Sequence, residues 1–492
     1  MAFTSNSQRR VLLMTNSEYG QANSFIALAH ALATKPNIHI HFASFIDAEP
    51  RVTQLRDSLQ GTGALGAGSM ITFHATVAIQ FLEKATIDHS PGFWGAIKSH
   101  SMITNNIFGW SADQYMTGVK SIIEIIEAIN PQAIVNDTAF SQGLDACRKI
   151  GRKYISAGPM SLKDTVAELQ PRFMVNYPTT SSGYPFPLPW SKVIPNIIIT
   201  ISLIYNIFTS PRTRSINAAR KAGGLTTMLP IFAGFQKDVE YLAPMIPELD
   251  FHLTVIPDNV ILCGPFVLPV IRTVEQDDPE LSKWLQAANG RTILLNLGTH
   301  TIVDVANTRE LAKGLAAVIQ HERDLKREVQ VLWKLQLVPG SEVDAVLREE
   351  LGKDIDSGRV RIVSWLAVDP MAILHERSII CSVHHGGANS FFESVVTGIP
   401  HVILPRWFDC YDYANRAEYL GIGIYGNKTA APGANALEFA AALIKVITPG
   451  STYISKAKEL SNVCENKCGG RELAATRILK GADEGVSLMP KV

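Results

Sequence analysis

The string His384-His385-Gly386-Gly387-Ala388-Asn389-Ser390 gathers groups suited to one task, holding an anion. An apolar run, Ile379 to Val383, leads into it and reads as a buried strand. The glycine pair permits a sharp turn. Asn389 and Ser390 are favoured N-cap types, and Ser390 precedes Glu393 at the spacing of a capping box. A strand is therefore expected to turn straight into a helix N-terminus. Free backbone N–H groups and the positive dipole end favour a diphosphate there. His385, Asn389 and Ser390 add donors. Glu393 lies one helical turn beyond Asn389, on the same face. A carboxylate suits phosphate poorly but accepts well from the paired hydroxyls of a ribose. After a helix stop at Gly398, Ile399 to Pro405 reads as the next strand, and Asp409 beyond it suits sugar hydroxyls. Diphosphate, ribose and hexose contacts in that order describe a nucleotide sugar. A glycine-rich strand-to-helix turn alone serves packing in many α/β folds. The matched offsets from Trp365 to Asp409 carry the reading.

The segment from Trp365 to Gly423 resembles the C-terminal signature of the UDP-dependent glycosyltransferases with the GT-B fold. That family shows a Trp, a His-x-Gly-x-Asn-Ser string, a Glu four residues after the Asn, a Gly-x-Pro and an Asp-Gln pair. Here these positions read Trp365, His385, Gly387, Asn389, Ser390, Glu393, Gly398, Pro400, Asp409 and Cys410. Val260 to Pro265 resembles the family's strand entering the second domain. Trp284-Leu285, the run Thr292 to Thr299 and the strand Val331 to Lys334 are similar to its flanking elements. The Ala388-Asn389 pair and the run Asp409 to Tyr413 are most similar to the fungal branch. The resemblance implies two Rossmann-like doubly wound α/β domains facing each other across a cleft. It implies UDP-sugar contacts at Gly298, Thr299, Trp365, His385, Gly387, Asn389, Ser390, Glu393, Asp409 and Cys410, with Trp365 stacked on uracil. Cys410 stands where the family carries Gln, which leaves the sugar open; Asp412 is a compensating candidate.

At 492 residues the chain exceeds one hydrophobic core, so two domains are the default. Lys and Arg number 45, as do Asp and Glu. No basic patch for nucleic acid and no acidic tail stands out. The six cysteines show neither a disulfide framework nor zinc spacing. No metal is expected, nor any cofactor beyond the UDP-sugar co-substrate. Arg9-Arg10 precedes only Val11 to Met14 as an apolar run, too short for a signal-peptide core. A cytoplasmic monomer is expected.

Elements to position the site follow a βαβ rhythm. Val11 to Thr15, His39 to Phe45, Ile71 to His74 and Ala133 to Asn136 read as strands, with helices at Ala22 to Ala33 and Ser121 to Ile129. Residues 1–245 are assigned to an acceptor-binding domain, 246–257 to a linker and 258–451 to the donor domain. The resemblance implies that helices in 452–492 pack back on the first domain. Val193 to Phe208 is strongly apolar but shorter than the roughly 20 residues of a bilayer span. It reads as a buried or acceptor-lining helix, with a peripheral membrane contact through 193–208 as the minor alternative. Doubly wound sheets bind ligands beyond their strands' carboxyl ends. That rule points to Asn16 to Gln21, to His74 and to Asp137.

Inverting glycosyl transfer must take a proton from the acceptor hydroxyl, pass an oxocarbenium-like state and stabilise departing UDP. His385 and the helix N-terminus at Ser390 suit the last task. The resemblance places a catalytic His just before the first helix, and Gln21 stands there; the family's Asp partner matches Asp137. Glutamine offers no basic lone pair. Glu18, His74 or Asp137 is then the base, or the acceptor is an acidic phenol, or the chain binds nucleotide sugar with little transfer. The expected activity is hexose transfer, glucose first, to a hydrophobic aromatic acceptor through oxygen or carbon.

Overall fold

The computed structural model describes residues 8–77, 87–107, 109–287, 291–299, 301, 303–336 and 339–484. Seven strands form the first sheet: β1 (Arg9–Met14), β2 (Ile38–Ser44), β3 (Met70–Ala75), β4 (Ala133–Asp137), β5 (Ile155–Ala157), β6 (Glu240–Ala243) and β7 (Val260–Leu262). Their spatial order is β3-β2-β1-β4-β5-β6-β7, and every pair is parallel. Six strands form the second: β8 (Thr292–Asn296), β9 (Gln330–Lys334), β10 (Val360–Val363), β11 (Ile379–His384), β12 (His401–Ile403) and β13 (Gly423–Tyr425). Their order is β10-β9-β8-β11-β12-β13, again all parallel.

The apolar runs of the sequence become strands covered on both faces, as parallel sheets require. Alternate residues go to opposite sides. Leu12 and Met14 enter one core and Val11 and Leu13 another. In β8, Ile293 and Leu295 face one layer of helices while Leu294 faces the other. The strand order reverses beside β1 and β4 in the first sheet, and beside β8 and β11 in the second. These switch points open crevices at the strands' carboxyl ends, where the loops after β1, β4, β8 and β11 meet.

Val260–Leu262 was expected to open the second series. It pairs instead with β6 and completes the edge of the first sheet. Its alternation is too short to declare which sheet it joins; only the pairing decides. The helix Gly470–Glu484 inserts Ala474, Ala475 and Ile478 into the core formed around Val11 and Leu13, so the chain's end packs on its beginning. Buried ion pairs also link the halves: Lys163 with Asp412, and Arg416 Nε to Asp250 Oδ1 at 2.7 Å. The six cysteines are free thiols.

Candidate active site

The two switch points face each other across one cleft of about 1170 Å³. The second half supplies its polar rim. β11 ends at His384, and Gly386 turns the chain with φ +93. That angle favours glycine, and a Cβ there would also lie 2.7 Å from the Cys410 carbonyl oxygen. The helix Ala388–Thr397 starts immediately afterwards. His385 is wedged between backbones. A Cβ on Gly387 would come within 2.6 Å of its ring, and one on Gly298 within 2.7 Å. Gly298 and Gly387 fix where the imidazole can sit. His385 lines the cleft, whereas His384 points into the core, with Nε2 2.9 Å from His401 Nδ1 and Nδ1 accepting from Gly386 N.

The expected capping box does not form. Gly387 takes the N-cap with an extended backbone, and no side chain caps the helix. Asn389 and Ser390 therefore sit inside the first turn and line the cleft with Gly387 and Glu393. The Asn389 amide reaches across and donates to the Gly20 carbonyl at 3.1 Å and the Tyr19 carbonyl at 3.3 Å. Tyr19 also meets Trp365 edge-on, with ring centroids 6.1 Å apart. Gly298 and Thr299, after β8, complete the sequence-predicted rim.

Two donor-half residues were missed as site candidates. Lys334, at the end of β9, places Nζ 4.2 Å from the centre of the Trp365 ring and donates to the Gly298 carbonyl at 3.3 Å. Burial lowers its pKa. Asp369 lines the cleft and caps the short helix Pro370–Leu374, accepting from Met371 N at 2.8 Å. An Asp-Pro pair reads as punctuation in a sequence, so only the fold reveals a second carboxyl near Glu393. Burial, then Asp369, pushes Glu393 up to about 8. Burial, then Asp164, pushes Asp409 to about 7. Asp409 and the buried Cys410 both line the cleft. Asp412, the compensating candidate, does not: it is consumed by the ion pair with Lys163.

The first half supplies the other wall. Asp137, at the end of β4, is fully buried and absent from the cleft surface. Its Oδ2 accepts from Thr15 Oγ1 at 2.6 Å, and its Oδ1 accepts from Ala139 N at 2.8 Å. With its NH2 turned toward the carboxylate, Gln21 donates to Oδ2 at 3.0 Å and to Oδ1 at 3.1 Å. Burial pushes Asp137 up to about 6 against the pull of those bonds. Gln21 lines the cleft. It therefore keeps the link to Asp137 that a histidine would make, but without a basic atom. Gln21 lies within the helix Tyr19–Ala33 rather than before it. Glu18 occupies that helix's N-cap position without a side-chain cap bond, and it lines the cleft.

His74 is not in the cleft. β3 is the outermost strand, two strands from the switch point, and the His74 ring instead meets His41, Nε2 to Nδ1 at 2.9 Å. Strand-end position suggested the site; sheet order removes it. A histidine that sequence reasoning overlooked, His100, is buried and lines the first half's side of the cleft, its imidazole driven down to about 4 by burial. An apolar wall comes from Phe173, Leu203, Ile204, Ile207, Phe232 and Phe235. The helix containing 193–208 runs from Trp190 to Thr209 and is only partly covered. Ile199 is buried, Leu203 and Ile207 face the cleft, and Tyr205 and Phe208 are exposed.

Comparison with known proteins agrees with this architecture. Residues 341–476 match the model of the erythromycin biosynthesis protein CIII-like C-terminal domain. The chain is 34% identical to glycosyltransferase sdnJ of Sordaria araneosa over 94% of this chain and 96% of that one. Among solved structures, a Polygonum tinctorium UDP-glucosyltransferase superposes with a TM-score of 0.63 at 17% identity, covering 98% of this chain and 100% of that one. A UDP-glucose: anthocyanidin 3-O-glucosyltransferase bound to UDP gives 0.63 at 15% identity, covering 97% and 99%. Two parallel-sheet Rossmann-like domains facing across a cleft define the GT-B class. This chain belongs to the glycosyltransferases, with the GT-B fold.

Proposed function

We propose that the protein transfers a hexose, glucose first among candidates, from UDP to a hydrophobic aromatic small molecule with inversion. The observation that carries this reading is the division of one cleft into a polar rim around His385 and Glu393 and an apolar wall around Leu203, Phe232 and Phe235. A nucleotide sugar fits the first and an aromatic body the second. The relatives support the acceptor class. The Polygonum tinctorium enzyme is described as glucosylating indoxyl, and the other solved structure as acting on anthocyanidin.

In this reading Glu18 takes the acceptor proton, because its carboxyl lines the cleft while Asp137 lies behind Gln21. The acceptor oxygen attacks the anomeric carbon as the bond to UDP breaks. Negative charge grows on the diphosphate, where His385, Lys334 and the N–H groups of the Ala388–Thr397 helix are gathered. Asp137 acts through Gln21, holding its amide in place beside the acceptor. No cofactor beyond the UDP-sugar enters the reading.

Incubation with UDP-glucose, UDP-galactose or UDP-glucuronic acid and a panel of phenols, read by mass spectrometry, tests it. A hexosyl adduct with inverted anomeric configuration is expected. UDP binding without product from any donor would instead select the nucleotide-sugar-binding reading.

A further inference from the structure

The helix Trp190–Thr209 carries Trp190, Ile194, Ile198, Ile201, Tyr205 and Phe208 at successive spacings of four, four, three, four and three. That pattern places all six on one stripe of helical surface. Amphipathic helices normally turn such a stripe inward. Here it faces outward: Trp190 is 86% exposed, Ile194 71% and Tyr205 65%. The opposite side is fastened to the protein. Asn196 accepts from Thr179 N at 2.8 Å and donates to the Met174 and Tyr177 carbonyls, both at 2.9 Å. The helix is 20 residues long and apolar enough to cross a membrane by composition, yet its bonded inner face keeps it part of the domain. A contiguous exposed strip of this kind marks an interaction surface.

Charge indicates the partner. No acidic residue occurs between Glu168 and Asp238, while Arg172, Lys192, Arg212, Arg214, Arg220, Lys221 and Lys237 do. Arg220 is engaged internally with Asp145. Lys192, in the first turn but on the other side of the helix from the stripe, holds Nζ 5.3 Å from the centre of the Tyr184 ring, and Arg214, on the following helix, donates from Nε to the Phe208 carbonyl at 3.4 Å where the stripe ends. The helix Gly92–Ile107 packs alongside, also free of acidic residues, and adds Lys98 and the exposed Trp94. The whole chain is neutral, so this acid-free stretch is locally basic, although Arg212 is engaged with the Trp110 carbonyl at 2.7 Å. A two-fold contact with a second copy would set these cations against one another.

We propose that this stripe docks on an anionic lipid surface, lying in the membrane plane with its apolar side chains in the headgroup–acyl boundary. The exposed Lys192 and Arg214 meet the anionic headgroups. Ile204 is half exposed and also lines the cleft, so the docked edge adjoins the acceptor wall. Delivery of an apolar acceptor from the bilayer rests on the proposed function; the docking itself does not.

Flotation of the full chain with vesicles tests docking without any donor or acceptor. Binding to phosphatidylcholine vesicles containing phosphatidylserine is expected, weakened by salt and by omission of phosphatidylserine. Ile194→Ser combined with Tyr205→Ser should lower partitioning about tenfold or more, and Lys192→Glu with Arg214→Glu by a similar factor. Neither pair lines the cleft, so UDP binding and turnover of a soluble phenol should persist and report intact folding. Absence of vesicle binding by the wild-type chain overturns the proposal. So does vesicle binding unchanged in both double variants. A dimer that dissociates on Ile194→Ser/Tyr205→Ser, without vesicle binding, assigns the stripe to a second copy. Vesicle binding with no transferase activity would leave docking standing and remove the acceptor reading alone.

Discussion

The two walls of the cleft solve different recognition problems with different materials. The polar wall comes largely from loops that directly follow β8 and β11, and its densest cluster, His385 to Glu393, is one short run of sequence. Diphosphate and ribose are fixed chemistries, and in the proposed reading backbone N–H groups, a few glycines and a few side chains hold them. The acceptor wall draws Glu18, Gln21, His100, Phe173, Leu203 and Phe235 from segments far apart in the chain. Apolar walls recognise shape and area, which no short string encodes. The donor wall should therefore fail sharply under single substitutions, and the acceptor wall should degrade gradually.

The largest effect should come from the base. Glu18→Gln is expected to lower turnover of a weakly acidic alcohol by about 10²–10⁴-fold. The deficit should shrink along a series from alcohol to nitrophenol, because an acidic hydroxyl needs less help. A deficit independent of acceptor acidity would remove Glu18 from that role. His74→Ala, two strands away, should leave the rate unchanged. Gln21→His should place an imidazole against Asp137 and raise turnover of poor acceptors.

His385→Ala comes next, with turnover falling by about 10²–10³-fold, the scale of losing a donor to developing negative charge. UDP affinity should fall much less. His384→Ala should show the reverse pattern. Its ring bonds His401 and the Gly386 amide inside the core, so the loss should appear as a lower melting temperature, worth about 1–3 kcal/mol. Similar kinetics in the two variants would show that the rim has been assigned one residue out of register.

Glu393 sharpens the contrast through pH. Burial and Asp369 push its pKa to about 8, so near neutral pH the carboxyl is largely protonated. Ribose hydroxyls donating to it favour the ionised form, so UDP binding releases a proton. Affinity by calorimetry should rise with pH and level off above about 8. Glu393→Gln should flatten that dependence and weaken binding by roughly 1.5–3 kcal/mol. A variant with the wild-type pH profile would exclude Glu393 as the ribose acceptor.

The smallest effect belongs to the acceptor wall. Leu203→Ala or Ile207→Ala should raise KM for an aromatic acceptor by a factor worth roughly 1–3 kcal/mol, with little change in UDP affinity. A collapse of kcat for all acceptors would mean that this helix orders the reacting groups rather than merely enclosing the substrate.

Much of this site was legible in the residues themselves. The turn at Gly386-Gly387, the following helix and the cleft-facing positions of His385, Asn389, Ser390 and Glu393 follow from local rules of strand, glycine and helix periodicity. Such rules act over a few residues, so a contiguous string records them. The same rules placed the capping box three residues late, because Gly387 reached the N-cap conformation before Asn389 or Ser390 could compete.

The remainder was settled by tertiary contacts. Sheet order put β3 at an edge and took His74 out of the cleft, and strand pairing gave Val260–Leu262 to the first sheet. Burial set Asp137 behind Gln21 and brought Asp369 up to Glu393. Packing turned one side of an apolar helix toward the cleft and left the other in solvent. By itself the sequence determined the donor chemistry, because a diphosphate is held by local backbone geometry. Which first-half residues line the cleft and which side of the apolar helix stays exposed were decided by the fold, because each depends on distances between segments that only long-range packing brings together.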